Sequence, residues 1–145
     1  MNKSSIEEEI RTTGRLLYSN RGTSMLPLIR EGRDMVVLVR PEGRLKKYDV
    51  PLYKPTPFQG KYVLHRIVKV REKDYVIRGD NCYSNETGIT DDDIVGVLSA
   101  VIRNGKELKI SSFRYKLYSR TRVLLYPCRH FLVRVKNFFR KSRAN

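Results

Sequence analysis

The chain has 145 residues, with 30 Lys or Arg against 15 Asp or Glu, a net charge of +15; that length favours one domain that buries a real core without staples. Cys82 and Cys128 make neither a disulfide framework nor a zinc pattern and read as thiols in a reducing compartment, and no stretch approaches the ~20 apolar residues of a membrane span. The charge is uneven: residues 1–107 hold 19 basic and all 15 acidic side chains, whereas residues 108–145 hold 11 basic and no acidic ones, so the tail is expected to meet a polyanion.

The N-terminus, MNKSSIEEEI, is polar and acidic rather than a secretory signal, which predicts a cytoplasmic start. Ile6 to Tyr18 carries a broken apolar face (Ile6, Ile10, Leu16, Leu17) and reads as a short helix, weakened by Gly14. From Asp34 onward the pattern is β. DMVVLVRP is a β-branched run stopped by Pro41, and KKYDVPLYKP is a short edge or irregular strand because of Pro51. KYVLHRIVKVR (61–71) alternates, with Val63, His65 and Ile67 on one face. A tight turn at EKD leads into YVIRGD, so these two segments should form a hairpin. DIVGVLSAVIRNGKELKI is a second hairpin turning at Asn104-Gly105. The body, about 20–112, is thus expected to be a small, mostly antiparallel, mainly β domain, flanked by an N-terminal helix (1–19) and a basic helical tail (113–145).

Three chemistry-bearing residues fall near strand ends. Ser24 precedes a Pro-containing turn, His65 lies in the alternating strand, and Asp80 ends the partner strand within RGDN. A serine hydroxyl becomes a nucleophile when an imidazole takes its proton, and a carboxylate fixes the imidazole's tautomer. Each residue alone also fits ordinary turn, core or strand roles.

The order of SMLP (24–27), REGRD, KKYDVPLY, LHRIVKV, RGDN and DDDIVGVL resembles the type I signal peptidases and the LexA-like self-cleaving repressors over about residues 20–102. The resemblance implies a serine peptidase fold and activity with no cofactor and no metal. Ser24 matches the nucleophile and His65 the base, which places the chain near the histidine-using, endoplasmic-reticulum-like branch. Lys69 lies about 13 Å along the strand from His65, which argues against a Ser-Lys dyad. Asp80 matches the acid of Gly-Asp-Asn and is the first choice to orient His65; Glu86, Asp91, Asp92 and Asp93 are the alternatives. Gly22 stands where many members carry a hydroxyl, so the oxyanion would rely on backbone N–H groups of the loop Gly22, Thr23, Ser24 and Met25. The family's Gly-Asp pair is altered to Gly32-Arg33-Asp34, and the transmembrane anchor is replaced by a polar helix.

In the tail, Cys128, Phe131, Leu132, Val135, Phe138 and Phe139 recur at helical spacing, with Arg129, Arg134, Lys136, Arg140 and Lys141 on the other side. Pro127 suits the start of that helix. This is the pattern of an interfacial helix. The expected partners are a peptide or protein substrate and, through residues 113–145, an anionic membrane surface. Docking of the stripe on the domain itself ranks second and nucleic acid last. The resulting expectation is a serine endopeptidase that cleaves a leader or signal-type peptide at the cytoplasmic membrane face. The rival is a non-catalytic basic adaptor on the same fold.

Overall fold

The computed structural model describes residues 3–55 and 61–142; for residues 3–5 and 141–142 it describes the backbone only. Helix α1 (Lys3–Thr13) buries Ile6 and Ile10, which lie four apart on one face. It ends where Gly14 adopts a left-handed φ of 73° and donates its N–H to the Ile10 carbonyl at 2.9 Å. The helix expected to reach Tyr18 is therefore shorter, and Arg15–Tyr18 forms strand β1, with Leu16 buried and Leu17 exposed.

Eight further strands follow: β2 (Asp34–Val39), β3 (Pro51–Tyr53), β4 (Val63–Leu64), β5 (Arg66–Val70), β6 (Tyr75–Arg78), β7 (Glu86–Ile89), β8 (Ile94–Arg103) and β9 (Lys106–Lys109). All described pairings are antiparallel. One sheet runs β1-β2-β8-β3-β4; the long β8 also pairs with β9 through the Asn104–Gly105 turn. The second sheet is β5-β6-β7. Helices α2 (Phe113–Leu124) and α3 (Tyr126–Ser142, Pro127 in its first turn) complete the chain. The architecture is mixed and strand-rich, so the expectation of a mainly β chain holds only roughly. No helix among the described residues is long and apolar enough to cross a membrane.

The segment read as one strand from 61 to 71 is two. Val63–Leu64 pairs with β3 in the first sheet, Arg66–Val70 pairs with β6 in the second, and His65 is the residue at which the chain crosses between them. A further irregularity in β5 leaves Val68 without a partner between Ile67↔Ile77 and Lys69↔Val76.

Two apolar clusters meet near that crossing. The larger joins Ile6, Ile10 and Leu16 of the N-terminal segment to Met25, Leu28 and Ile29, to Val36 and Leu38 of β2, and to Tyr115 of α2. The smaller holds Tyr53, Ile67, Tyr75 and Ile77. The N-terminal segment thus shares its core with the β body.

The loop before β2 is fixed by Asp34, whose side chain is fully buried. Its oxygens accept from Arg33 (2.8 Å twice), Arg103 (2.9 and 3.1 Å) and the Arg30 N–H (2.9 Å). Arg103 also donates to the Leu28 carbonyl at 2.9 Å and so ties β8 to the turn after Ser24. Burial alone would raise the Asp34 carboxyl, but the bonds from Arg33, Arg103 and Arg30 outweigh it and hold the group well below the usual carboxylate range. A depressed carboxyl stabilises the fold above its unfolded value and loses that contribution as the pH falls. Asp34→Asn is expected to cost on the order of 3 kcal/mol at neutral pH. In denaturant melts the difference from wild type should be constant above about pH 5 and shrink below about pH 4; a pH-independent difference would contradict it.

Candidate active site

His65 is buried at the crossing between the sheets. Arg66 pairs with Arg78, so one step further along His65 falls beside Gly79. Its Nδ1 lies 2.7 Å from Glu86 Oε1 and 3.3 Å from the Tyr53 hydroxyl. Tyr53 donates to the other carboxylate oxygen, Glu86 Oε2, at 2.8 Å. A carboxylate only accepts, so the Nδ1 next to it carries the proton and the lone pair of the neutral ring sits on Nε2. That is the tautomer a general base requires. Burial first, and Glu86 next, push the Tyr53 phenol up, so it remains a donor.

Nε2 faces Gly79. A Cβ built on Gly79 would lie 3.0 Å from Nε2, 2.7 Å from the Ser24 carbonyl oxygen and 2.7 Å from Cys82 Sγ. The Ser24 backbone and the imidazole Nε2 are therefore packed around one point that only a hydrogen atom can occupy. No hydrogen bond joins Ser24 Oγ to Nε2 in this structure; such bonds commonly tighten when substrate arrives. Burial, and then the Glu86 charge, push the Cys82 thiol up, which keeps it protonated and a poor nucleophile beside the imidazole.

Ser24 is half-buried and opens the turn 24–28. The turn is pinned by fully buried Met25 and Ile29 and by the Ile29 N–H donating to the Met25 carbonyl at 3.0 Å. Its other anchor is Asn81, whose backbone N–H donates to the Ser24 carbonyl at 2.7 Å and whose side-chain amide donates to the Thr23 carbonyl at 3.2 Å. Gly22 is not available to an oxyanion, because its N–H donates to Glu31 Oε2 at 2.8 Å. Among the described residues nothing accepts the Ser24 N–H.

The acids sort differently from the first expectation. Asp80 does not touch His65. Both its oxygens are taken by Arg66, at 2.7 and 2.8 Å, with the Tyr118 hydroxyl donating to Oδ2 at 2.8 Å. Asp80 and Arg66 are both buried, and a buried guanidinium holds its carboxylate in place rather than releasing it to a neighbour. Of the alternatives, Glu86 is the one that reaches the ring. Asp91 is engaged by Arg44 and Tyr75, and Asp93 accepts from the Thr90 N–H. Asp92 is exposed along an open groove with Glu7 and Arg40. Lys69 is exposed on β5.

The tail reaches this site. Arg122 of α2 donates to the Asp80 carbonyl (3.0 Å) and the Leu26 carbonyl (3.3 Å); Arg129 of α3 donates to the Asp80 carbonyl (3.2 Å), and Tyr126 to the Tyr83 carbonyl (2.6 Å). The Arg78 guanidinium lies 3.3 Å from the Tyr126 ring centre. His130 is not beside Ser24 or His65; it stacks between Tyr83 and Tyr126.

Tyr53, Gly79, Tyr118, Arg122 and Arg129 had no assigned role in the sequence. Tyr53 is placed by the strand register. Leu52 pairs with Leu64 and Tyr53 with Val63, and Val63 shares a face with His65, so Tyr53 and His65 become diagonal neighbours. Among the described residues no group of three or more His, Cys, Asp or Glu is placed to hold a metal ion. No family model, curated protein or solved structure matches the chain.

The two acids are expected to respond unequally to neutralisation. Asp80→Asn leaves the Arg66 charge buried without its partner and should cost about 3–5 kcal/mol in a denaturant melt. Glu86 is more than a third exposed, so Glu86→Gln should cost less than about 1 kcal/mol. Equal losses would remove the distinction. Gly79→Ala should cost on the order of 1–3 kcal/mol and, by amide hydrogen exchange, deprotect Asn81, whose N–H is held by Ser24.

Proposed function

We propose that the chain is a serine endopeptidase of the signal-peptidase/LexA-like kind, with Ser24 as nucleophile, His65 as base and Glu86 as the acid that orients it. One observation carries this reading: Nδ1 is bonded to a carboxylate while Nε2 opens onto Gly79, beside the Ser24 backbone. Nε2 takes the Ser24 hydroxyl proton as Oγ attacks a peptide carbonyl carbon. The tetrahedral oxyanion is stabilised by the free Ser24 N–H. Collapse breaks the C–N bond, and the Nε2 proton goes to the departing amine. Water, deprotonated by Nε2, then attacks the acyl-enzyme and releases the carboxylic acid product, restoring the serine.

The carboxylate found on Nδ1 supports the histidine-using branch, and it is Glu86, one of the alternative acids that the resemblance offered. The substrate class that the resemblance and the cationic tail favour is a leader or signal-type peptide at the cytoplasmic membrane face. The second reading, a non-catalytic basic adaptor, is favoured by the tail alone, with 11 basic and no acidic residues from 108 onward.

A fluorophosphonate probe and a peptide library separate the two. Wild type should label and cleave; Ser24→Ala should do neither. His65→Ala and Glu86→Gln should label and cleave slower by roughly 10³–10⁴. If wild type, Ser24→Ala and His65→Ala behave alike, the peptidase reading fails.

A further inference from the structure

Helix α3 presents two faces of different chemistry. Tyr126, Arg129, His130 and Val133 recur at three- and four-residue steps. The first three contact the body, at Tyr83 and Asp80, and Val133 is half-buried. Cys128, Phe131, Leu132, Val135, Phe138 and Phe139 form a second stripe. At 3.6 residues per turn the two stripes are centred roughly 180° apart. The four largest side chains of the outer one are left in water, Phe131 65% exposed, Leu132 64%, Phe138 71% and Phe139 62%, with Val135 half-buried among them. Leu124 and Leu125, where α2 meets α3, are exposed too. Four large apolar side chains on one helical face are more than scattered surface residues explain.

We propose that this outer face is a docking surface for an anionic lipid bilayer, lying in the interface plane. Charge complementarity selects that occupant. Arg134 and Lys136 border the stripe, one on each side, and no acidic residue follows Glu107. A second copy would set two cationic helices against each other, and its apolar gain would be opposed by like charge. A bilayer with acidic headgroups accepts both chemistries at once, Phe and Leu at the acyl boundary and Arg and Lys among the phosphates. The helix is neither long nor apolar enough to span.

The inner stripe gives the docking a consequence. It grips Asp80 and Tyr83, on either side of Asn81, which holds Ser24. Because the bilayer takes the opposite face, the tail binds lipid without letting go of the site loop. Ser24 and His65 are therefore carried to the membrane with it. That last step rests on the peptidase reading; the docking itself does not.

The test is co-sedimentation of the full chain with phosphatidylcholine vesicles, with and without phosphatidylglycerol, beside a single-stranded oligonucleotide. Wild type should bind the phosphatidylglycerol vesicles about ten-fold or more tightly than the neutral ones, and Phe131→Gln/Phe138→Gln should lose about ten-fold or more of that binding. Both side chains are exposed, so the variant's thermal melt should match wild type and show that folding is not the cause. No binding to anionic vesicles overturns the proposal. So does binding indifferent to the two phenylalanines, or preference for the oligonucleotide with the same indifference. Ser24→Ala should bind vesicles like wild type, so a failed peptidase and a failed docking surface remain distinguishable.

Discussion

The Arg66–Asp80 pair is the contact on which the rest of the arrangement depends. Both residues are buried, and two buried charges are tolerated only when each is saturated with hydrogen bonds. They are. Arg66 donates twice to Asp80, to the Tyr48 carbonyl at 3.0 Å and to the Tyr115 hydroxyl at 3.2 Å. Asp80 accepts from Tyr118 as well. Burial alone would lower the Arg66 guanidinium, but Asp80 outweighs it and raises it. Tyr48 adopts a left-handed φ of 82° where its carbonyl reaches the guanidinium, a conformation that costs a non-glycine residue roughly 1–2 kcal/mol. The pair joins β5, the loop after β6, the segment before β3 and helix α2 in one network.

That network explains why Asp80 and Glu86, both near His65, have different partners. His65 and Arg66 are consecutive in the chain, so their side chains leave opposite faces of the extended backbone. Arg66 points toward α2 and takes Asp80. His65 points toward Gly79 and Tyr53 and takes Glu86. Asp80 fixes where the loop Gly79–Asn81 lies, and Asn81 in turn holds the Ser24 carbonyl. Glu86 fixes only the ring. A carboxylate committed to a buried guanidinium has little to offer a neighbouring imidazole, so each acid keeps its own partner, Asp80 on Arg66 and Glu86 on the His65 ring.

What the sequence made legible follows from the range of the interactions. The turns at 72–74 and Asn104–Gly105 are local and were read where they fall, as was the strand Tyr75–Arg78. The helix end at Gly14 was signalled by the glycine but outvoted by Leu16 and Leu17, whose apolar character serves a strand equally well. The break at His65 was invisible, because alternation persists while the chain changes sheet. Ser24 and His65 were singled out by the order of several short motifs, and the fold packs the Ser24 carbonyl and His65 Nε2 around Gly79. Asp80 was the first choice among several acids, and the motif marks an acid without saying which cation claims it; its bonds to Arg66, next to His65 in the chain, come only with the three-dimensional arrangement. Tyr53 needed the β3–β4 register, which no local pattern specifies.

The tail shows the same limit from the other side. An amphipathic helix beside a small domain ordinarily buries its apolar stripe. Here the polar and aromatic stripe is the one that docks, because the surface offered to it is the back of the site loop: the carbonyls of Asp80 and Tyr83 and the Arg78 guanidinium. Backbone carbonyls already turned away from a sheet need donors, which phenylalanine and leucine cannot supply. Arg129 and Tyr126 can, with Arg122 of α2 beside them. Satisfying those carbonyls fixes the rotation of α3 about its own axis. Helix geometry then dictates that Phe131, Leu132, Phe138 and Phe139 face outward, so their exposure follows from how the loop that positions Ser24 is held.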